Sequence, residues 1–319
     1  MKFIKKWSKR IFPQVTIKKR NKKETLIMGA IYGKHANQQT SSLAESDENR
    51  VRDVEKYFRP ACHSVLNNRL ADFQFFQPYY EKSFSEIVIP PSLMNSPENT
   101  IIHYFSILRE AENLTSKQMG GCGTVGMAKL PFPIAYNFFT KGYQKKVSFA
   151  SYLQSFKGIG HTSLIKLNKL PVQYHSTTIP YFIELETIEG SSKNLTYFAY
   201  YYGYVYIQKE GNTYKIADIT LIGEDFLCAA YHLWQHNAEA VVDIEYGEWC
   251  KLVKKRLPTK KEGYIKKIDI IGTDGRDYRF IFFQLTNDTD LLVSQYRKNP
   301  KGTWEWIKIE PESCFRVKE

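Results

Sequence analysis

The sequence predicts an α+β protein in which helices pack on an antiparallel sheet and a small all-β domain follows at the C-terminus. Three observations predict this class: a capped helix after Ser96, tyrosine-rich strands over 181–222, and four short strands after Tyr264. The chain has 319 residues, 43% of them apolar, which is enough to bury one or two cores. The predicted segments are a basic tail and linker (1–46), a helical segment (47–95), an α+β domain (96–258) and a small antiparallel β domain (259–319).

The first segment, MKFIKKWSKRIFPQ, is predicted to form a short basic amphipathic helix. Residues 1–23 carry ten Lys or Arg and no acid, and Pro13 ends the helical spacing. Such a helix lies in the interface of an anionic membrane with its apolar side inserted. The predicted membrane contacts are Phe3, Ile4, Lys5, Lys6, Trp7 and Ile11. A disordered tail and a nucleic-acid-binding arm are the alternatives for this segment.

A second basic segment lies inside the chain. Residues 113–183 contain eight lysines and no acid, so this segment and the tail together carry +18, and the remaining residues sum to −6 to give the net charge of +12. Basicity that is confined to two segments favours an anionic partner, either a membrane surface or a nucleic acid. The alternative is a lysine-rich, low-GC proteome in which these lysines form solvated faces.

Two helical segments are predicted before the strands. Over 47–95, apolar residues recur at spacings near three and four, and Pro60 and Pro78 divide the pattern. These residues are Val54, Phe58, Val65, Leu66, Leu70, Phe73 and Phe76. The second helix begins with Ser96 as its cap and Pro97 at its first position, and Glu98 favours the positive end of the helix dipole.

Strands are predicted over 181–188 and 195–208, which flank the hairpin loop EGSSKN, and over 214–222. The six-residue loop predicts that Ile183 lies opposite Tyr200 and that Leu185 lies opposite Phe198. The side chains of Glu184 and Glu186 then point to the other face of the sheet. Tyrosines on an inner face need partners for their hydroxyls, which is typical of a pocket or an interface. The candidates are Tyr181, Phe198, Tyr200, Tyr202, Tyr204, Tyr206 and His161, and an ordinary strand is the alternative.

The rest of the chain is predicted as a helix over 223–247, a hinge-like linker LPTKKEG, and four strands separated by the turns TDGRD, TNDTD and KNPKG. That spacing is typical of a small antiparallel meander or barrel.

Residues 96–222 together resemble the NTF2-like cone fold. The resemblance rests on SPENTIIHYFSILREAEN, YFIELETIEGSSKNLTYFAYYYGYVYI and YKIADITLI. It implies a curved sheet with a cavity beside the tyrosines, in a fold whose members serve as small-molecule enzymes, ligand binders or assembly modules. The resemblance implies no particular reaction. The long loop over 114–133 and a helix after the sheet depart from the usual pattern of the fold.

Motifs for catalysis or metal binding are weak. Gly121 to Gly126 spell GxGxxG, but no strand precedes it and no acid follows before Glu184. Cys228, His232 and His236 fall at i, i+4 and i+8 of a predicted helix, which makes them a weak metal candidate. Candidates for acid–base chemistry are Glu184, Glu186, Asp218 and His161. The sequence predicts no cofactor.

Five scattered cysteines without a CxxC pair argue against a disulfide framework and favour a reducing compartment. We therefore expect a non-catalytic, cytoplasmic binding or assembly protein, peripheral at an anionic membrane, with a protein partner or self-association. The first alternative is a lyase, isomerase or hydrolase that uses a Tyr-lined cone pocket. The second is a nucleic-acid-binding protein that uses the lysines of 113–183.

Overall fold

The computed structural model describes residues 25–28, 30–32, 63–67, 73–118, 127–172, 176–193, 195–226 and 233–316. It combines helices with two mainly antiparallel sheets, which confirms the α+β class, and its C-terminal region is rich in strands. The predicted N-terminal amphipathic helix and the GxGxxG segment lie outside the described residues. In the described part of the chain, no helix is long and apolar enough to cross a membrane.

The first sheet has six strands. They are β1 (Thr25–Ile27), β2 (Ala30–Tyr32), β3 (Ile159–Lys169), β4 (Ile179–Gly190), β5 (Thr196–Glu210) and β6 (Thr213–Gly223). Their order is β1-β2-β6-β5-β4-β3, in which β2 and β6 pair in parallel and the other neighbours pair antiparallel. The tyrosine-rich β5 therefore lies at the centre of the sheet, as its length and composition predict.

Helix α1 (Pro97–Arg109) begins as the sequence predicts, because the Ser96 side chain accepts a hydrogen bond from the Asn99 backbone N–H at 3.1 Å. Three shorter helices follow: α2 (Pro131–Tyr136), α3 (Lys141–Lys146) and α4 (Phe149–Gln154). These helices pack on one face of the first sheet and bury large aromatic side chains there. The most buried include Tyr104, Phe105, Phe132, Tyr136, Phe138, Phe139, Tyr143 and Tyr152. This layer is the main core of the protein.

In its described part, the predicted helical segment over 47–95 contains short 3₁₀ helices and no α-helix. The short 3₁₀ helices there are Phe73–Phe75, Gln77–Tyr79 and Pro91–Met94. Residues 63–67 contain no helix, because the fully buried Asn67 side chain bridges backbone groups of two other elements. Its amide donates to the carbonyls of Phe105 and Thr162 at 2.9 and 3.0 Å and accepts from the Leu164 N–H at 3.0 Å. Tertiary hydrogen bonds therefore override the helical spacing.

The predicted pairing of β4 with β5 is also wrong. Ile183 lies opposite Gly203 and Leu185 lies opposite Tyr201, which is a shift of three residues along β5. Because successive residues of a strand point to opposite faces, a shift by an odd number of residues brings the other face of β5 beside Ile183 and Leu185. These two residues therefore pack with Tyr201 against the helices. β4 ends at Gly190 and β5 begins at Thr196. The loop between them is therefore shorter than predicted, and the pairing register of the two strands differs from the predicted one.

The second sheet confirms the four predicted strands after Tyr264 and adds two more. The strands are β7 (Val253–Arg256), β8 (Lys260–Glu262), β9 (Ile265–Gly272), β10 (Asp277–Gln284), β11 (Asp290–Lys298) and β12 (Trp304–Ile307). Their order is β12-β11-β10-β9-β7, and β8 also pairs with β9. The predicted linker LPTKKEG therefore contains β8.

The predicted helix over 223–247 is wrong at its start. Gly223 is the last residue of β6, and the Glu224 N–H still bonds the Tyr200 carbonyl at 2.9 Å, so the strand pairing continues past the glycine. Among the residues that the structure describes after β6, a 3₁₀ helix (Trp234–His236) comes first, and α5 (Ala238–Val241) follows and continues as a π-helix (Val242–Trp249). It packs on the second sheet, where the rings of Tyr246 and Phe280 lie 4.3 Å apart.

A disulfide joins Cys250, just after the π-helix, to Cys314 in the terminal helix α6 (Pro311–Arg316). The expectation that the cysteines stay unpaired is therefore wrong for these two. Their separation of 64 residues hid the pair, because closeness in space across a folded sheet leaves no local spacing signal.

Candidate functional site

A buried ion pair lies where the two sheets meet. Lys166 of β3 is directly opposite Glu184 of β4, and Lys166 Nζ lies 2.5 Å from Glu184 Oε2. The side chains of Lys166 and Glu184 are 1% and 0% exposed. A β-bulge between Leu164 and Lys166 sets this register. Lys166 Nζ also donates to the Gln284 carbonyl at 2.6 Å, so one ammonium group contacts both sheets.

The turn after β10 is held against the first sheet by two carboxyl groups. Glu184 Oε1 accepts hydrogen bonds from the Thr286 N–H at 2.9 Å and from the Thr286 hydroxyl at 2.5 Å. Glu224 Oε2 accepts from the Asn287 N–H at 3.1 Å, and the Asn287 side chain donates to the Asp225 carbonyl at 2.7 Å. Hydrogen bonds to charged groups are stronger than neutral ones, so this turn is a firm contact between the sheets.

Glu224 is the unusual member of this group. Burial raises the pKa of its carboxyl well above the ordinary value of 4.5, and the nearby charge of Glu184 adds to the effect, while Lys166 and the Asn287 N–H oppose it. Glu224 Oε1 has no hydrogen-bond partner among the described residues. The raised pKa favours a proton on the Glu224 carboxyl, which lowers the repulsion between Glu224 and Glu184.

A small depression opens beside this group at the junction of the sheets. Its volume is about 260 Å³, and it is lined by His63, Gly263, Tyr264, Gln284, Leu285, Thr286 and Asp288. The Tyr264 hydroxyl donates to the Asn168 side chain, and Lys166 Nζ lies 4.9 Å from the Tyr264 ring centre. The depression is smaller than common ligand pockets and mostly polar, so it suits water or a small polar molecule.

The tyrosines of β5 pair with carboxylates of β4. Tyr200 lies directly opposite Glu186 and donates to it at 2.8 Å. Glu189 accepts from Tyr201 at 2.8 Å and from Tyr197 at 3.1 Å. Buried tyrosine hydroxyls need such partners, and Glu186 and Glu189, on opposite faces of the adjacent strand, supply them. This pairing explains why one segment holds so many tyrosines: they build hydrogen bonds across the sheet as well as a core.

The predicted pocket residues lie on two faces of the sheet. Tyr181 packs in the main core, and its hydroxyl donates to Glu98 of α1. The even-numbered face of β5 points away from the helices; it consists of Phe198, Tyr200, Tyr202, Tyr204 and Tyr206. Tyr202 and Tyr204 pack with Phe283 of the second sheet, and Phe198 and Tyr200 pack with Ile165. None of these residues lines the depression.

The other candidates are dispersed. His161 is half-buried on β3, opposite Ile188, and Asp218 is half-buried on β6, opposite Tyr206. His236 ends a 3₁₀ helix (Trp234–His236), whereas Cys228, His232 and the membrane contacts at 3–11 lie outside the described residues. Within the ranges that the structure describes, no group of three or more His, Cys, Asp or Glu side chains could hold a metal ion.

Of the acid–base candidates, only Glu184 belongs to the buried group of Lys166, Glu184 and Glu224 at the junction of the sheets. The sequence analysis did not predict Lys166 and Glu224 as its partners. Lys166 is an ordinary polar residue within a predicted strand, and Glu224 is one that follows the end of a strand. A signal was present at Lys166, since a lysine between Ile165 and Leu167 interrupts an apolar stretch of the predicted strand. Comparison with protein-family models, with curated proteins and with solved structures gives no match for this chain.

Proposed function

We propose that this chain is a non-catalytic binding or assembly protein that docks on an anionic membrane surface through its basic N-terminal segment. The amphipathic pattern of MKFIKKWSKRIFPQ supplies shallow apolar insertion, and the ten basic residues of 1–23 supply electrostatic attraction. One such helix anchors weakly, so the proposal includes a protein partner or self-association that multiplies the contact.

One observation carries the proposal. Seven of the eight lysines in the acid-free segment 113–183 are exposed, and the eighth, Lys166, is buried in its ion pair. The seven are Lys117, Lys129, Lys141, Lys145, Lys146, Lys157 and Lys169. The folded region therefore adds positive surface charge to that of the tail, and attraction to an anionic surface rises with each nearby lysine.

The fold and the location belong to the same proposal. We propose an NTF2-like cone for 96–222, supported by the capped α1 packed on a sheet of long antiparallel strands. We propose a cytoplasmic location at the membrane periphery, supported by the basic tail. The Cys250–Cys314 disulfide is uncommon in cytosolic proteins, so thiol alkylation of the native protein in fractionated cells is the test of location.

Vesicle flotation tests the function. The full chain is expected to float with anionic vesicles and not with neutral vesicles at physiological salt. The variant Trp7→Glu is expected to lose this binding, because it places a charge on the inserting side, and Trp7→Phe is the control that keeps it. Unchanged flotation of Trp7→Glu would overturn the role of the tail.

The enzyme alternative needs a Tyr-lined cone pocket with a buried acid or base. The packing of Tyr202 and Tyr204 against Phe283 fills the space above that face of β5 and weighs against it. The nucleic-acid alternative uses the exposed lysines of 113–183. It requires binding that weakens steeply with salt and survives deletion of residues 1–23.

A further inference from the structure

The open edge of the second sheet carries a concentrated row of positive charge. Residues 251–261, KLVKKRLPTKK, contain six Lys or Arg and no acid, and all six are exposed. Over 251–310 as a whole, fourteen Lys or Arg stand against eight Asp or Glu. This third basic region lies apart in sequence from the tail and from the segment 113–183.

The two strands that carry this row lie end to end. β7 pairs with the end of β9 at 270–272, and β8 pairs with its start at 265–267. No further strand of this sheet lies beyond them in the described part of the chain. Since β9 has eight residues, the charged edge along it is roughly 25 Å long at the usual rise of a strand. We name residues 251–261 the basic edge.

Little of this charge is neutralised within the protein. Arg256 bonds Asp243 at 2.8 Å, and Lys261 bonds the neutral side chain of Gln284 at 2.9 Å. Four further lysines have no acidic partner among the residues that the structure describes. They are Lys251, Lys254, Lys255 and Lys260. The basic edge therefore keeps most of its charge for an external partner.

The hairpin of β8 and β9 places lysines directly opposite one another. Lys260 lies opposite Lys267, and Lys261 lies opposite Lys266. Lys267 and Lys266 are neutralised by Glu262 and Asp290, so the charges that remain on this hairpin are those of Lys260 and Lys261 on the basic edge. One or two lysines, the bulge at Lys254 and the proline at 258 would be enough to prevent pairing with another sheet. The basic edge carries more positive charge than this protection requires, which points to an anionic ligand.

We propose that the basic edge binds the phosphate backbone of a double-stranded nucleic acid. An extended row of cations matches an extended polyanion, and 25 Å spans roughly seven phosphates of one strand of B-DNA. The basic edge contains no aromatic side chain on which an unpaired base could stack, which favours a duplex over a single strand. None of the exposed large apolar side chains lies in 251–261, so insertion into a membrane has no support there. Binding is independent of base sequence, because lysine–phosphate contacts carry no sequence information.

The test is fluorescence anisotropy of a labelled 20-bp DNA duplex with the full chain, from 50 to 200 mM salt. The variant is Lys254→Gln/Lys255→Gln/Lys260→Gln. The matched control is Lys141→Gln/Lys145→Gln/Lys146→Gln, which removes the same charge from the exposed face of α3. Loss of three phosphate contacts lowers the slope of log Kd against log salt by about 2.7. Over this fourfold salt range the wild type then loses roughly 40-fold more affinity than the variant does.

Three results would overturn the proposal: an unchanged slope in the basic-edge variant, an equal fall in slope in the control, or loss of vesicle flotation in place of loss of duplex binding. The last result would assign the basic edge to lipid headgroups. If the triple variant does not fold, Lys254→Gln and Lys260→Gln are measured singly, and each is expected to lower the slope by about 0.9. Failure of the tail to float on vesicles would leave this proposal standing, since the two assays use different ligands.

Discussion

Replacing Lys166 with methionine tests whether the buried ion pair holds the two sheets together. The substitution keeps the length of the side chain but removes the ammonium that lies 2.5 Å from Glu184 and 2.6 Å from the Gln284 carbonyl. Glu184 is then a carboxylate at 0% exposure whose remaining hydrogen bonds come from Thr286. Removing one partner of a buried pair costs about 3–5 kcal/mol. That is a large share of the roughly 5–15 kcal/mol that stabilises a typical protein.

The assay is urea unfolding followed by tryptophan fluorescence and by circular dichroism. Four of the five tryptophans lie in 234–306, so fluorescence reports mainly on the second sheet and its helix. With a slope of about 3 kcal/mol per M, the midpoint is expected to fall by about 1–1.7 M. The matched control is Lys169→Met, three positions along the same strand and exposed, which is expected to change stability by less than about 0.5 kcal/mol.

A double-mutant cycle separates the pair from its surroundings. When Glu184→Gln is combined with Lys166→Met, no unpaired charge remains in the junction, so the combined cost is expected to be at least about 1 kcal/mol less than the sum of the two single costs. A cost below about 1 kcal/mol for Lys166→Met, or strict additivity in the cycle, would refute the reasoning.

Two further predictions concern pH and the disulfide. Because the pKa of Glu224 is raised in the folded protein, the free energy of unfolding is expected to fall as pH rises from about 4.5 toward the folded pKa. Urea unfolding at several pH values measures this dependence. The variant Glu224→Gln is expected to show a weaker dependence of the free energy of unfolding on pH. A wild-type slope that persists in Glu224→Gln would assign the dependence to another group. For the Cys250–Cys314 disulfide, loop closure over 64 residues predicts a loss of about 4 kcal/mol on reduction, seen as a lower melting temperature in calorimetry with a reductant. An unchanged melting temperature in a sample shown to be reduced would contradict that estimate.

The sequence predicted the start of α1 and the turns of the second sheet, because these features depend on contacts between residues close together in the chain. Ser96 and Pro97 fixed the start of α1, because capping needs only the next three residues. The turns after Tyr264 separated the strands of the second sheet, since glycine and asparagine at those turns act within four residues. Alternation predicted that β5 is a strand, but it could not choose which face meets the helices.

Long-range contacts decided what the sequence did not reveal. The pairing of β4 with β5 depends on where both strands end, and a shift of three residues placed Tyr200 and Tyr202 opposite Glu186 and Glu184, on the face away from the helices. The buried group at the sheet junction joins residues as far apart as Lys166 and Thr286, and nothing in the local pattern at either position signals the other. The same distance in sequence hid the partner of Cys250.

Flotation of the purified full chain tests the proposed docking most directly. Vesicles with and without anionic lipid are compared at physiological salt, with density-gradient position as the readout. Docking through the basic tail and the exposed lysines predicts that the protein floats with anionic vesicles alone and that binding weakens as salt rises. Protein that stays at the bottom of the gradient with both kinds of vesicle would contradict membrane docking.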